Sequence, residues 1–455
     1  MLSISLEDFK KLSGVRFLNV DLEMFTPKRL KGISIDSRTI EPDQIFWAIT
    51  GQRFDGHAFV KEAQQKSALI SVVSETALDG LHNGVFPLIV VPDTLKALQE
   101  LANLQRKKYD IPVIGITGSN GKTTVKEMLA HILQTKMTVH KTKGNMNNQV
   151  GGPLTLLNLN ELHEVAVIEL GTNQFGEISI LTDMTEPNHA LITMIGDTHL
   201  EFLNSREGVF SEKRALFDRI PEGTIYINLD DPILADYQRE GVRLVRYSCH
   251  QKADVKGEIK GLDEQGCGLL RLNDKSDIRL QVVGMHNLYN ALASAAVALN
   301  MNFSEAEIAD ALREYQATEK RMQVIDWNGI RIVNDTYNAN PASMKSAIDT
   351  ISAMQLDGKM VLVLGDMFEL GDQSSELHEE MLNYVIGKSP DILFLMGSYM
   401  LEARKRCSIP KQTEVILPKS HEEIARLLKK KLKPGDLLLL KGSRGMQMER
   451  VMAYL

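Results

Sequence analysis

The chain has 455 residues, of which 43% are hydrophobic and 24% charged, and a formal net charge of −7. That length allows two to four domains, each able to bury its own core, and the acidic balance argues against nucleic acid as the main partner. Three scattered cysteines (Cys249, Cys267, Cys407) suggest neither a disulfide framework nor a zinc site. With no N-terminal signal pattern and no apolar run long enough to cross a bilayer, we expect a cytoplasmic protein.

Strands and helices alternate almost throughout, which predicts α/β architecture with parallel sheets. Residues 44–49, 68–73 and 86–91 read as strands around a helix at 57–65. This is too much material for an extension of a nucleotide domain, so we expect a smaller N-terminal α/β domain over residues 1–98. Its linker falls near the polar helix 95–108.

The stretch Gly115-Ile-Thr-Gly118-Ser119-Asn120-Gly121-Lys122-Thr123-Thr124 follows an apolar run, 111–116, that reads as a buried strand. It opens a helix whose Val125, Met128, Leu129 and Ile132 fall at i, i+3, i+4 and i+7. Strand, glycine loop and helix N-terminus together cradle a polyphosphate with backbone N–H groups, so Gly118 to Thr124 are candidate ATP or GTP contacts. Lys122 would reach the terminal phosphates and the Thr123 hydroxyl would sit on Mg²⁺. Five residues separate Gly115 from Gly121, where the usual phosphate loop has four. A glycine-rich turn before an ordinary helix is the plainer alternative, and the Lys-Thr-Thr at the helix start speaks against it.

The nucleotide domain, 99–316, continues with strands at 165–170, 189–195, Thr224–Asn228 and 243–247. Residues 252–277 look like turns between short strands, and 288–299 is an Ala-rich helix. Parallel sheets place chemistry just beyond the carboxyl ends of strands. Glu169 ends one such strand, where an unpaired carboxylate is costly and a metal would compensate it. His199 follows the next, a position that suits a structural histidine or a metal ligand equally. The amide-rich loop Gly144-Asn-Met-Asn147-Asn148 can be a surface loop or hydrogen-bond a polar substrate. Asn287 and Asn290 share a helix face and suit either capping or an adenine edge. Within the helix 206–219, Lys213 breaks the apolar stripe of Val209, Leu216 and Ile220; periodicity alone makes it a snorkelling lysine with its ammonium in water. A third alternation, 317–455, carries strands at 330–333, 360–364, 391–396 and 436–440. Between the first of these and a helix lie Asp335, Tyr337, Asn338 and Asn340-Pro341, the last pair reading as N-cap and first helical residue.

These residues carry a resemblance to the Mur ligases, the ATP-dependent amide-forming enzymes of peptidoglycan synthesis. It runs through Asp36-Ser37-Arg38, Phe54-Asp-Gly-His57, the phosphate loop with the family's own five-residue spacing, Glu169-Leu-Gly-Thr-Asn173, Gly284 to Asn290, Leu364-Gly-Asp-Met367 with Glu369-Leu-Gly371, and Lys441-Gly-Ser-Arg-Gly-Met446. Gly144 to Leu157, Tyr337-Asn-Ala-Asn340 and the Lys441 segment are similar to the member that adds a dipeptide. Lys320-Arg321 stands where the family's familiar pair is Gly-Arg.

The resemblance implies three α/β domains: one for the UDP-sugar, a central ATPase built on a parallel sheet, and a Rossmann-like C-terminal domain that closes over the site. It implies ATP and Mg²⁺ as cofactors and UDP-N-acetylmuramoyl-tripeptide and D-alanyl-D-alanine as partners; the sequence does not fix the oligomeric state, and we take a monomer as the default. By the same resemblance, Thr123 and Glu169 hold one Mg²⁺, and His199 and a carbamylated Lys213 the second. Lys122, Lys213, His199 and Arg321 carry catalysis. Asn287, Asn290, Arg321 and Asp335 surround the nucleotide. Ser37 and Arg38 face the nucleotide-sugar. Asn147 and Asn148 contact substrate, and Asn338, Asn340 and Ser343 contact the dipeptide. Folylpolyglutamate synthase, other Mur ligases and an ATP-dependent switch remain as alternatives.

Overall fold

A strand buried on both faces reads as an unbroken apolar run, and three sheets are built around such runs. The computed structural model describes residues 4–21, 30–51, 54–81 and 86–455. Among these, the first sheet has the order Arg16–Leu18, Leu88–Val91, Ile70–Ser74, Gln44–Trp47, Gly32–Ser34. Its strands are parallel except Arg16–Leu18, which runs antiparallel to its neighbour.

The second sheet has nine strands. Six run parallel, in the order Val139–Lys141, Val165–Glu169, Val113–Thr117, His189–Ile192, Thr224–Asn228 and Arg243–Ser248. The expected parallel sheet extends at one side into antiparallel strands. Val255–Leu262 pairs parallel to Arg243–Ser248 and then starts an antiparallel meander with Cys267–Leu272 and Ser276–Val283. Residues 252–277 are therefore well-formed strands, not turns between short ones. Alternating exposed Lys and Glu along the outer face hid a period-2 pattern whose inner face (Val255, Leu270, Leu272, Ile278, Leu280) is buried against the Ala-rich helix His286–Asn300.

The third sheet, six strands, runs Gln323–Trp327, Ile330–Asp335, Leu437–Lys441, Met360–Gly365, Ile392–Met396, Glu414–Ile416. It is parallel apart from the hairpin joining its first two strands. The short edge strands of all three sheets carry little apolar signal, which is why sequence pattern passes over them.

The helix Thr94–Arg106 is more than a linker. Asp93 caps it, accepting from Leu95 N and Lys96 N at 2.8 and 3.0 Å. Its stripe of Ala97, Leu98, Leu101 and Ala102 belongs to one continuous apolar cluster containing Ile45, Trp47 and Ile89 of the first sheet and Ala166, Ile168 and Ile192 of the second. The first two sheets thus share a core, whereas the third lies between two further clusters, one of which takes in Cys267 and Val283 of the meander and meets the first cluster through Leu377.

Candidate active site

The phosphate loop begins where the strand Val113–Thr117 ends. Gly118 adopts φ +147°, and a Cβ there would stand 1.8 Å from Thr193 Oγ1. Gly121 adopts φ +83°, and a Cβ would stand 2.4 Å from Asn290 Oδ1. Only glycine lets the loop backbone lie this close to its neighbours. Ser119 Oγ donates to Gly196 O at 3.0 Å and accepts from Gly196 N at 2.9 Å, tying the loop to the segment before His199. The helix Lys122–Leu133 then points its free N–H groups into a cleft of about 910 Å³. Lys122 Nζ donates to Gly118 O at 2.7 Å. Protein packed around it pushes its ammonium down and Glu169 opposes the shift, while the side chain still meets solvent in the cleft.

The strand Val165–Glu169 delivers Glu169 beside this helix. Thr123 Oγ1 donates to Glu169 Oε1 at 3.1 Å, and Asn147 Nδ2 donates to the same oxygen at 2.7 Å. Glu169 is 2% exposed, and its Oε2 has no hydrogen-bond partner. Buried Lys126 Nζ stands 3.8 Å from that oxygen, beyond hydrogen-bond reach, and a buried carboxylate oxygen without a hydrogen bond, beside a threonine hydroxyl, fits a hard cation. Among the described residues no group of three or more His, Cys, Asp or Glu side chains could enclose a metal. Phosphate oxygens and water would have to complete the shell, as is usual for Mg²⁺.

The third sheet brings its own strand ends to the opposite wall. Arg321 Nη2 donates to Thr123 Oγ1 at 2.9 Å, and its guanidinium lies 3.7 Å from the Tyr337 ring centre. Lys320 before it adopts φ +63°, the left-handed region that glycine enters without cost. Asp335 pairs with buried Lys441 and accepts from Met322 N at 3.1 Å. Asn340 caps Pro341–Ala353, accepting from Ser343 N at 2.9 Å, and exchanges two hydrogen bonds with Asn120 of the phosphate loop at 2.8 and 3.3 Å. Asn338 Oδ1 accepts from Arg444 N at 3.2 Å.

Gly121, Lys122, Thr123, Thr124, Asn147, Asn148, Glu169, His199, Asn287, Asn290, Arg321, Asp335, Asn338, Asn340 and Ser343 all line this cleft, with Ser119 and Asn120. Asn287 Nδ2 donates to Val283 O at 2.8 Å and Asn290 Nδ2 to Asn287 Oδ1 at 3.0 Å, which aims Asn290 at the loop. Asn148 Oδ1 accepts from Val150 N and Gly151 N at 3.1 and 2.8 Å.

Three pieces lie apart. Gly118 is not among the lining residues, although its carbonyl accepts from Lys122 Nζ. Ser37 and Arg38 are not among the cleft's lining residues, and Arg38 is engaged bidentately by Asp36 at 2.9 and 2.7 Å. Lys213 is also outside the lining, yet it does not snorkel. It is fully buried, its Nζ has no hydrogen-bond partner, and burial, with Lys122 nearby, pushes its ammonium far down. The residues sequence reasoning missed are strand-end or loop neighbours of those it found: Asn228, Asp231, Tyr289, Phe368, Glu369 and Lys441 also line the cleft. Position just past the strands Thr224–Asn228 and Met360–Gly365 was the signal that could have found several of them.

Family models match along the chain: Mur ligase family, catalytic domain, over residues 29–106; Mur ligase middle domain over 116–298; and Mur ligase, glutamate ligase domain, over 320–444. The chain is 33% identical over 434 residues to the UDP-N-acetylmuramoyl-tripeptide–D-alanyl-D-alanine ligase of Bacillus subtilis, covering 93% of this chain and 92% of that one. It is also 33% identical to the Escherichia coli protein of the same name, over 84% and 83% of the two chains. Among solved structures it is similar to MurF from Acinetobacter baumannii, with a TM-score of 0.87, 30% identity and coverage of 99% and 98%. The MurF ligase of Thermotoga maritima in complex with ADP superposes with a TM-score of 0.82 at 26% identity, covering 94% of this chain and 98% of that one. A phosphate loop closed over by a third α/β sheet, matched along nearly its whole length, establishes that the chain belongs to the Mur ligase family.

Proposed function

We propose that this chain is the ATP-dependent, ADP-forming ligase that joins D-alanyl-D-alanine to UDP-N-acetylmuramoyl-tripeptide in peptidoglycan precursor synthesis, acting as a monomer in the cytoplasm. The similarity over 93% of the chain to ligases of that name supports the reaction. The observation that carries the reading is the Arg321–Thr123 hydrogen bond, 2.9 Å across the cleft, where a C-terminal cation meets the phosphate loop. Among the described residues no helix is long and apolar enough to cross a membrane.

The tripeptide's terminal carboxylate attacks the γ-phosphorus, ADP leaves, and an acyl phosphate forms. The dipeptide amine then attacks the acyl carbon through a tetrahedral intermediate, and phosphate leaves as the amide forms. Both steps are driven by positioning and fixed charge. The loop backbone from Gly118 to Gly121 and the helix N-terminus hold the phosphates. Lys122 turns from Gly118 O to the transferring group, and Arg321 supplies the second cation. Asn287, Asn290 and Asp335 bound the nucleotide, Asn147 and Asn148 the tripeptide side, and Asn338, Asn340 and Ser343 the dipeptide. Ser37 and Arg38 face the UDP-sugar. Thr123 and Glu169 would hold one Mg²⁺ and His199 with carbamylated Lys213 a second, and these ions would supply neutralisation of the phosphate charge.

The Lys213 carbamate is supported by its setting. A neutral amine adds to CO₂ with loss of a proton, forming an N–C bond and leaving an anion with two hard oxygens. Full burial, with Lys122 nearby, pushes the ammonium well down and so favours the neutral form this requires.

The test is ADP release measured with UDP-N-acetylmuramoyl-tripeptide, with and without D-alanyl-D-alanine. Turnover requiring both substrates is expected. Stimulation by a single amino acid or by glutamate in place of the dipeptide would move the chain to another ligase of the family or to a folylpolyglutamate-synthase-like enzyme. Phosphate release with no acceptor would favour a switch.

A further inference from the structure

His199 and Glu369 meet across the cleft from different sheets. His199 follows the central strand His189–Ile192, and Glu369 follows Met360–Gly365 of the third sheet. His199 Nδ1 lies 2.6 Å from Glu369 Oε2, and both residues line the cleft. The contact is short enough for an ion pair but lies outside hydrogen-bond alignment, so Nδ1 has no hydrogen-bond partner. Pairs in ligand-free sites are commonly misaligned in this way and straighten when the site fills.

Both backbones are held in the left-handed region that non-glycine residues enter at a cost, with φ +54° at His199 and +63° at Glu369. The surroundings fix that geometry from both sides. Glu201 N donates to Glu369 O at 3.4 Å, and the turn Gly371–Gln373 packs on the helix Leu200–Leu203 that His199 starts. An ordinary interface ion pair needs no strain on either partner.

We infer that Glu369 is a positioning residue: brought in by the C-terminal domain, it grips His199 Nδ1 and leaves Nε2 directed to the second cation position. The inference rests on His199 being a metal ligand, as proposed above. A carboxylate on the far nitrogen of a ligating histidine fixes its tautomer and ring orientation and raises its basicity. Here that carboxylate comes from another domain, so the second position is complete only when the cleft is shut.

The experiment is Mn²⁺ binding followed by electron paramagnetic resonance, with a non-hydrolysable ATP analogue and UDP-N-acetylmuramoyl-tripeptide present, in the wild type and Glu369→Gln. The Glu369 side chain is 44% exposed, so the isosteric amide should leave the melting temperature unchanged. The wild type is expected to bind two classes of Mn²⁺. In the variant the class that depends on Thr123 and Glu169 should stay and the other weaken about 10- to 100-fold. Two unchanged classes in Glu369→Gln, whatever happens to turnover, would overturn the positioning role and leave the metal assignment standing. A single class in the wild type would overturn the assignment of His199 and this inference with it.

Discussion

Lys213 shows how far one residue can be read before its surroundings are known. Periodicity places it on the buried stripe of Arg206–Asp218 and stops there, because a lysine on such a stripe can escape to water along its own stem. The fold removes that escape: Lys213 is fully buried with no partner for Nζ, a costly state for an ammonium. We expect Lys213→Ala to lose activity at ordinary Mg²⁺ and to regain part of it when acetate is added, since a free carboxylate can occupy the carbamate's place. Steady-state rates with and without acetate check this, and a ¹³C signal from ¹³CO₂-treated enzyme should vanish in the variant. An amine that stays unmodified in the nucleotide- and metal-bound enzyme would end the carbamate reading. Glu169 was easier to read, because a carboxylate ending an apolar strand announces its burial; that Asn147 would share its Oε1 was not readable, since the two lie on different elements.

At the scale of elements, the phosphate loop is where local sequence and tertiary packing agree. Its glycines follow from the turn, but which glycine is indispensable follows from Thr193, a strand away. Gly118→Ala would force Cβ into Thr193 Oγ1 and strain the backbone at φ +147°. That costs about 1–3 kcal/mol, so we expect nucleotide affinity to fall about 10- to 100-fold, measured by calorimetry, with an unchanged far-ultraviolet spectrum. The central sheet also carries a pH dependence. His140 Nε2 donates to Thr155 O at 2.8 Å, and His189 Nδ1 lies 2.9 Å from Tyr226 Oη; burial pushes both imidazoles from 6.5 down to about 4. A depressed folded value means that the unfolded chain binds the extra protons first. Their contribution is therefore complete above pH 6.5 and is lost as pH falls toward 4. Melting temperatures should drop between pH 7 and 4.5, and the drop should shrink in His189→Gln. An equal drop in that variant would assign the effect elsewhere.

For the whole molecule, the division of the core sets what can move. The first two sheets share one apolar cluster through Thr94–Arg106, and separating them would expose it. Apart from apolar contacts at Cys267, Val283 and Leu377, the third sheet meets the second across a polar cleft, through Arg321–Thr123, Asn340–Asn120 and Glu369–His199. Contacts of this kind exchange readily with water and ligand, whereas buried apolar area does not. We expect the C-terminal domain to move as a unit and the other two to stay together. Small-angle scattering should show a more compact particle when ATP analogue, UDP-N-acetylmuramoyl-tripeptide and Mg²⁺ are added together. Profiles that do not change would count against a closing domain.

What the sequence determined by itself was whatever rests on near neighbours: buried strands as apolar runs, the helix after the phosphate loop, the Asn340-Pro341 cap, and a nucleotide site from one ten-residue stretch. The resemblance extended this to a reaction, because motif order along the chain survives without coordinates. Tertiary structure decided the rest. The meander reads as turns until its inner face is seen against His286–Asn300. Lys213 reads as solvated until its helix is packed, and Glu369, a motif residue without an assigned role, gains a partner only when the third sheet sets it 2.6 Å from His199. Each depends on contacts between residues distant in the chain, which periodicity cannot encode because it records only which face a residue takes, not what will cover it.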